Sequence, residues 1–113
     1  MKQFQIPDEI ELIGFFGAEP IERSLEDGYW RFEIRDVTGV ALSFGFNVFE
    51  RSAQISLSVA GCTYVTVSHE FADRLLLLND QLVCEFSSRD SRGSLILRRG
   101  DRVSAIWSTL RTQ

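Results

Sequence analysis

Apolar side chains recur at every second position through much of this 113-residue chain. In the segment YWRFEIRD at 29–36, Trp30, Phe32 and Ile34 alternate with charged residues. Successive side chains of a β-strand point to opposite faces, so this pattern predicts a strand with one buried face. The pattern constrains the fold strongly, because such a strand must pack its apolar face against a second layer.

Further strands are predicted where similar runs are bounded by turn residues. They fall at 40–47, 53–59, 62–68, 81–88, 94–99 and 102–110. Their inward side chains are predicted to be Val40, Leu42, Phe44, Phe46, Ile55, Leu57 and Val59. Gly45, on the other face, indicates a bulge or a close approach. Residues 69–81 fit either a short helix or a strand, and the run Leu75 to Leu78 favours a strand that enters a turn; residues 89–93 are predicted to be a polar loop.

A single helix is predicted near the start, at about 6–17. Its apolar residues recur at steps of three and four: Ile6, Ile10, Ile13 and Phe16. Pro7 suits a first helical turn, Gly17 is predicted to be a left-handed cap, and Pro20 blocks continuation.

These elements predict one α+β, mostly β domain over residues 1–113, with strands from about 24 to 110. The strand spacing of roughly 8 to 12 residues is typical of an antiparallel meander. The meander would form a curved sheet, a small sandwich or a partly open barrel, with the N-terminal helix over an open end or one face. The composition, 44% apolar and 25% charged, is that of a globular protein.

No catalytic constellation is evident. His69 is the sole histidine, and sequence neighbours such as Ser68 and Glu70 do not define a triad. No glycine-rich phosphate loop or metal-ligand spacing occurs. Cys62 and Cys84 also lack metal spacing, so buried reduced thiols are favoured and a disulfide stays open. These residues name no reaction, and we predict no cofactor or metal, although a carboxylate metal site is not excluded by the single histidine. A hydrolase or isomerase that uses paired carboxylates stays open as a third hypothesis.

Charge is unevenly distributed in this chain of net charge −4. Residues 1–36 carry nine acids and four bases, whereas residues 37–113 carry seven acids and eight bases. The acidic part favours cationic partners and argues against nucleic acid, although arginines crowd the C-terminal third. The nine phenylalanines leave open a second hypothesis, a small-ligand-binding β-barrel with a Phe-lined cavity.

The location is predicted to be cytoplasmic. The longest apolar run, Leu75 to Leu78, is far short of the roughly 20 residues that cross a bilayer, so no membrane association is expected. The segment MKQFQIPDE does not have the pattern of a secretory signal.

The stretch LIGFFGAEPIE, followed by YWRFEIRD, resembles the start of immunity protein 50 family members of bacterial polymorphic-toxin systems. The shared features are an aromatic-rich helix, a Phe-Gly-x-x-Pro turn at 16–20 and alternating strands. The resemblance covers roughly the first third of the chain. It implies a non-enzymatic inhibitor that binds a cognate toxin domain.

A basic toxin such as a nuclease would suit the acidic N-terminal part of the chain. The acids predicted to bind the partner follow the helix: Glu19, Glu22, Glu26 and Asp27. Both a monomer and a homodimer are compatible with the sequence, because an unpaired outer strand can extend a sheet.

Overall fold

The fold consists of one helix followed by nine strands. The computed structural model describes residues 3–89 and 91–111. The elements are α1 (Glu9–Phe16), β1 (Glu22–Ser24), β2 (Tyr29–Arg35), β3 (Val40–Asn47), β4 (Ser52–Val59), β5 (Cys62–Glu70), β6 (Ala72–Leu78), β7 (Gln81–Ser87), β8 (Ser91–Arg98) and β9 (Ser104–Arg111). No helix in the described part is long and apolar enough to cross a membrane.

The strands form two antiparallel sheets that are not closed into a barrel. The first sheet has the order β1-β2-β3-β4-β5 and the second has the order β6-β7-β8-β9, so neighbours in sequence are neighbours in space. The prediction of a mostly β meander with one N-terminal helix is confirmed. The chain changes sheet at Phe71, the single residue between β5 and β6, which adopts a left-handed φ of 63°.

The helix is shorter than predicted, and one residue of its predicted inner face is exposed. It begins at Glu9, after Asp8, whose N–H donates to Glu11 Oε1 at 3.4 Å. Ile10 is 82% exposed, whereas Leu12 and Phe16 are buried. The inward placement of Phe16 is confirmed and Ile13 packs against the core, but that of Ile10 is wrong. Ile6 extended the predicted face although it precedes the helix and does not share its periodicity.

The helix ends as predicted. Gly17 has a φ of 75°, and its N–H donates to the carbonyl of Ile13 at 2.7 Å. A left-handed residue at this position satisfies a carbonyl that the last helical turn leaves open.

Most predicted strands are confirmed, with three differences. β1 was not predicted because its three residues are too short to show a period. Ser91 already belongs to β8, so residues 89–93 are not all loop. Val59 is 41% exposed because it ends β4 beside a turn.

Gly45 is the site of a close approach, since a Cβ there would lie 3.2 Å from the Tyr29 hydroxyl.

One hydrophobic core joins the helix and both sheets. Phe16 of the helix stacks on Phe32 of β2 with ring centroids 4.5 Å apart. The buried residues of the core are Phe4, Leu12, Phe16, Phe32, Ile34, Leu42, Phe44, Phe46, Ala53, Ile55, Ala72, Leu75, Leu82, Cys84, Phe86, Leu95 and Leu97. The phenylalanines therefore pack against one another, as expected of a solid core.

Polar contacts connect the sheets around this core. Arg51, before β4, donates to the carbonyl of Ala72 at 3.1 Å and to Asp73 at 3.0 Å in the second sheet. The N-terminal segment lies along β6, where Gln5 N–H donates to the Asp73 carbonyl and Leu75 N–H donates to the Gln5 carbonyl. These contacts hold the segment around Gln5 and the two sheets together.

Candidate partner-binding surface

The four acids predicted to bind a partner are all exposed, but they occupy different elements. Glu19 follows the helix, Glu22 belongs to β1, and Glu26 and Asp27 form the turn between β1 and β2. The structure therefore distributes them along one connection of the first sheet. Only Glu26 and Asp27 share a turn.

The four carboxylates differ in how available their charges are. Arg31 of β2 donates to Glu22 from both Nε and Nη2, because the register places these two residues opposite each other. Asp27 accepts a hydrogen bond from the Ser24 hydroxyl at 2.7 Å. Within the described residues, neither Glu19 nor Glu26 accepts a side-chain hydrogen bond or forms an ion pair, so their charges face solvent.

The β1–β2 turn is held against the β3–β4 turn. Asn47 Nδ2 donates to the Asp27 carbonyl at 3.1 Å, and Val48 N–H donates to the Gly28 carbonyl at 2.9 Å. Gly28 adopts a φ of 68°, and a Cβ there would lie 2.8 Å from the Phe49 and Val48 side chains. Only glycine fits this contact without strain. The two turns therefore form one ordered surface.

Exposed apolar and acidic side chains share this surface. Phe49 is 70% exposed and Leu25 is 66% exposed. We call it the turn surface and define it by Leu25, Glu26, Asp27, Phe49 and Glu50. An exposed aromatic ring on the same two turns as exposed acids is suited to protein binding, since aromatic anchors dominate many interfaces. Sequence reasoning missed Phe49 and Glu50 because only the strand register brings their turn beside Asp27.

The His69 ring packs against the Phe86 ring. Its centroid lies 4.6 Å from that of Phe86, and its Nε2 atom is buried with no hydrogen-bond partner among the described residues. The neighbouring Ser68 hydroxyl accepts instead from Gln54 Nε2 at 3.1 Å. A surface groove of about 530 Å³ runs beside His69 and Phe71, but it contains no hydrogen-bonded nucleophile and base.

The two cysteines are unpaired and differ in environment. Cys84 is buried, whereas Cys62 is exposed, so the prediction of burial holds for only one of them. Burial raises the pKa of the Cys84 thiol, and the charges of Asp73 and Glu85 raise it further. Cys84 therefore stays protonated and acts as a small apolar core residue. Among the described residues, no group of three or more metal-ligating side chains comes together.

Comparison with known proteins gives one informative match. No protein-family model and no curated protein sequence matches the chain. A solved structure, the contact-dependent growth inhibition toxin–immunity protein complex from Klebsiella pneumoniae 342, contains a chain that superposes with a TM-score of 0.86. The two chains share a fold. The match covers 97% of this chain and 100% of the other, at 18% sequence identity. The resemblance to immunity proteins in the sequence agrees with this match.

Proposed function

We propose that this protein is an immunity protein that binds a cognate bacterial toxin domain and neutralises it without transforming a substrate. The observation that carries the proposal is the full-length structural match to a chain of a toxin–immunity complex. The immunity-like motif at 16–20 supports it independently. A cytoplasmic location and the absence of catalysis are parts of the same proposal.

The turn surface is the proposed contact with the toxin. Phe49 would insert as the apolar anchor, and the acids around it would pair with basic side chains of the toxin. Glu26 and Glu50 are the acids proposed to matter most, because within the described residues their side chains accept no hydrogen bond. Glu19 and Glu22 flank the surface, and Glu22 contributes less because Arg31 already pairs with it.

A basic nuclease domain is the proposed class of toxin. A nuclease presents cationic side chains to the phosphates of its substrate, and an acidic inhibitor can occupy that same site. Oppositely charged surfaces also accelerate association, which suits an inhibitor that must act before its toxin does.

Binding to the toxin domain encoded beside this protein tests the proposal. The full chain should bind that domain and protect cells that express it. The double variant Glu26→Lys with Glu50→Lys should weaken binding by about tenfold or more, mainly through slower association, and should flatten its salt dependence. Surface plasmon resonance at several salt concentrations measures both effects.

Two matched variants show whether the effect is local. Asp80→Lys with Asp101→Lys makes the same change in net charge on turns of the second sheet and should leave the affinity nearly unchanged. Tyr64→Ala removes a ring that is 70% exposed, like Phe49, and should matter far less than Phe49→Ala. If the wild type neither bound the toxin domain nor protected the cells, the proposed function would be rejected. Equal losses in both charge variants would reject the turn surface alone.

A further inference from the structure

The outer edge of β5 is long and open. β5 spans nine residues, Cys62–Glu70, and pairs with β4 on one side only. Among the described residues, no backbone hydrogen bond reaches its other side. Its middle is also solvent-accessible, with Tyr64 70% exposed and Val65 36% exposed. An exposed edge of this length is a template for another strand.

Two of the other sheet edges are protected in ways that β5 is not. β1 has three residues and follows closely on Pro20, which limits strand addition. The edge of β6 is covered by the N-terminal segment through Gln5. β9 resembles β5 in having no second neighbour within the described part of the chain. The choice between β5 and β9 therefore rests on side-chain chemistry.

The β5 edge lacks the charges that normally keep edges apart. No aspartate, glutamate, lysine or arginine occurs between Arg51 and Glu70. Threonine, valine and tyrosine fill the centre of the strand, and these residues favour strand pairing. β9 also lacks charged residues over 103–110, but Arg102 lies two positions before it, whereas the uncharged stretch that contains β5 runs from 52 to 69. Of these two open edges, β5 lies in the longer stretch without charge.

We propose that β5 pairs antiparallel with β5 of a second copy of this chain, which would join two five-stranded sheets into one. An antiparallel register centred on Thr66, the middle residue of β5, places Thr66 opposite its own copy, and Val65 then faces Val67 of the other copy. β5 has a bulge at Tyr64 in its pairing with β4, so the regular part of this register begins at Val65. No like charges meet, so the edge is self-complementary, as a two-fold interface requires. Paired threonines and valines favour this register.

The dimer does not use the residues of the proposed toxin contact, because none of the residues that define the turn surface belongs to β5. The proposal goes beyond the immunity function and does not depend on it, because it concerns the protein without a partner.

Analytical ultracentrifugation of the purified full chain tests the dimer. The wild type should sediment as two chains of 12.9 kDa each and dissociate on dilution. Thr66→Lys places two like charges at the two-fold centre and should raise the dimer dissociation constant by about tenfold or more. Ser56→Lys is the matched control, since Ser56 lies beside Thr66 on β4 and on the same face. This control should remain a dimer.

A mixture of two variants tests the register. Thr66→Lys and Thr66→Glu should each be largely monomeric, and an equimolar mixture should recover a dimer, because opposite charges then meet at the centre. Added salt should weaken this heterodimer and strengthen the lysine homodimer. A wild type that stays monomeric at every concentration overturns the proposal. So does a dimer that Thr66→Lys leaves intact, because that dimer uses another surface. Circular dichroism confirms that each variant is folded.

Discussion

Asp36 shows how one side chain can join distant parts of the chain. One carboxylate oxygen accepts from the Thr38 hydroxyl at 2.5 Å and from the N–H groups of Thr38 and Val40. The other oxygen accepts from Val103 N–H at 3.0 Å, just before β9. The bond from the Thr38 hydroxyl contributes most to lowering the pKa of Asp36 to about 2, and the backbone donors add to the effect.

We predict that Asp36 makes folding stability dependent on acid pH. Its pKa is lower in the folded state than the ordinary 3.8, so its stabilising effect is present above that value. The effect is lost as the pH falls towards about 2, where the folded carboxylate takes up a proton. The Asp36→Asn variant should therefore be less stable than wild type at neutral pH, and the difference should shrink as the pH falls. Urea unfolding at a series of pH values measures this difference.

Asp101→Asn is the control for Asp36. Asp101 is an exposed acid in the β8–β9 turn, and among the described residues its side chain makes no hydrogen bond. At neutral pH this variant should lose less stability than Asp36→Asn, because it removes no hydrogen bond. If Asp36→Asn followed the wild-type pH profile throughout, the hydrogen bonds to Asp36 would not stabilise the folded state.

At the scale of single residues, the local sequence predicted part of the proposed toxin contact. Glu26 and Asp27, predicted from the sequence to bind a partner, are exposed in the β1–β2 turn. The pairing of Glu22 with Arg31 depends on the register of β1 and β2, and the position of Phe49 depends on the register of β3. Such contacts come from tertiary structure, so no local pattern reveals them.

Among the elements, α1 offers the most direct test of local geometry. Gly14 lies inside it and Gly17 caps its end, and their surroundings differ. A Cβ on Gly17 would lie 2.5 Å from the guanidinium of Arg99, which donates to the Phe15 carbonyl at 2.6 Å. A Cβ on Gly14 would have no neighbour within 4 Å. Arg99 also places a positive charge at the end of the helix where the dipole favours one.

The same substitution at these two glycines should have opposite effects. Gly17→Ala should lower the free energy of unfolding by about 1–2 kcal/mol, since alanine is strained at a positive φ and displaces Arg99. Gly14→Ala should raise it by about 0.5–1 kcal/mol, because alanine is the better helix former. Equilibrium urea unfolding of both variants measures the difference. Changes of the same sign would contradict the proposed role of the Gly17 cap.

The elements also show why the sequence predicted strands better than helix boundaries. The β3 prediction, 40–47, matches the observed strand because its alternation is continuous and turns bound it on both sides. The start of α1 was misplaced because Ile6 and Pro7 fit a helical pattern, although the N-terminal segment pairs with β6. That pairing is a long-range contact, and it overrides local periodicity.

At the scale of the whole molecule, the two sheets and the helix share one core, so the domain is expected to unfold as a unit. Trp30 of β2 stacks on Phe46 with ring centroids 5.5 Å apart. Trp107 lies opposite Leu95 in the second sheet. Each tryptophan therefore reports on one sheet. The contacts of Arg51 with Ala72 and Asp73 tie these sheets together.

We predict that both sheets lose structure in one transition. Trp107→Phe leaves fluorescence from the first sheet, and Trp30→Phe leaves fluorescence from the second. Within each variant, the fluorescence midpoint in urea should coincide with the midpoint from far-UV circular dichroism, which reports on all strands. Comparing the two probes in the same variant removes any effect of the substitution on stability. A fluorescence midpoint that precedes the circular dichroism midpoint in either variant would mean that one sheet unfolds first, and the shared core would not couple them.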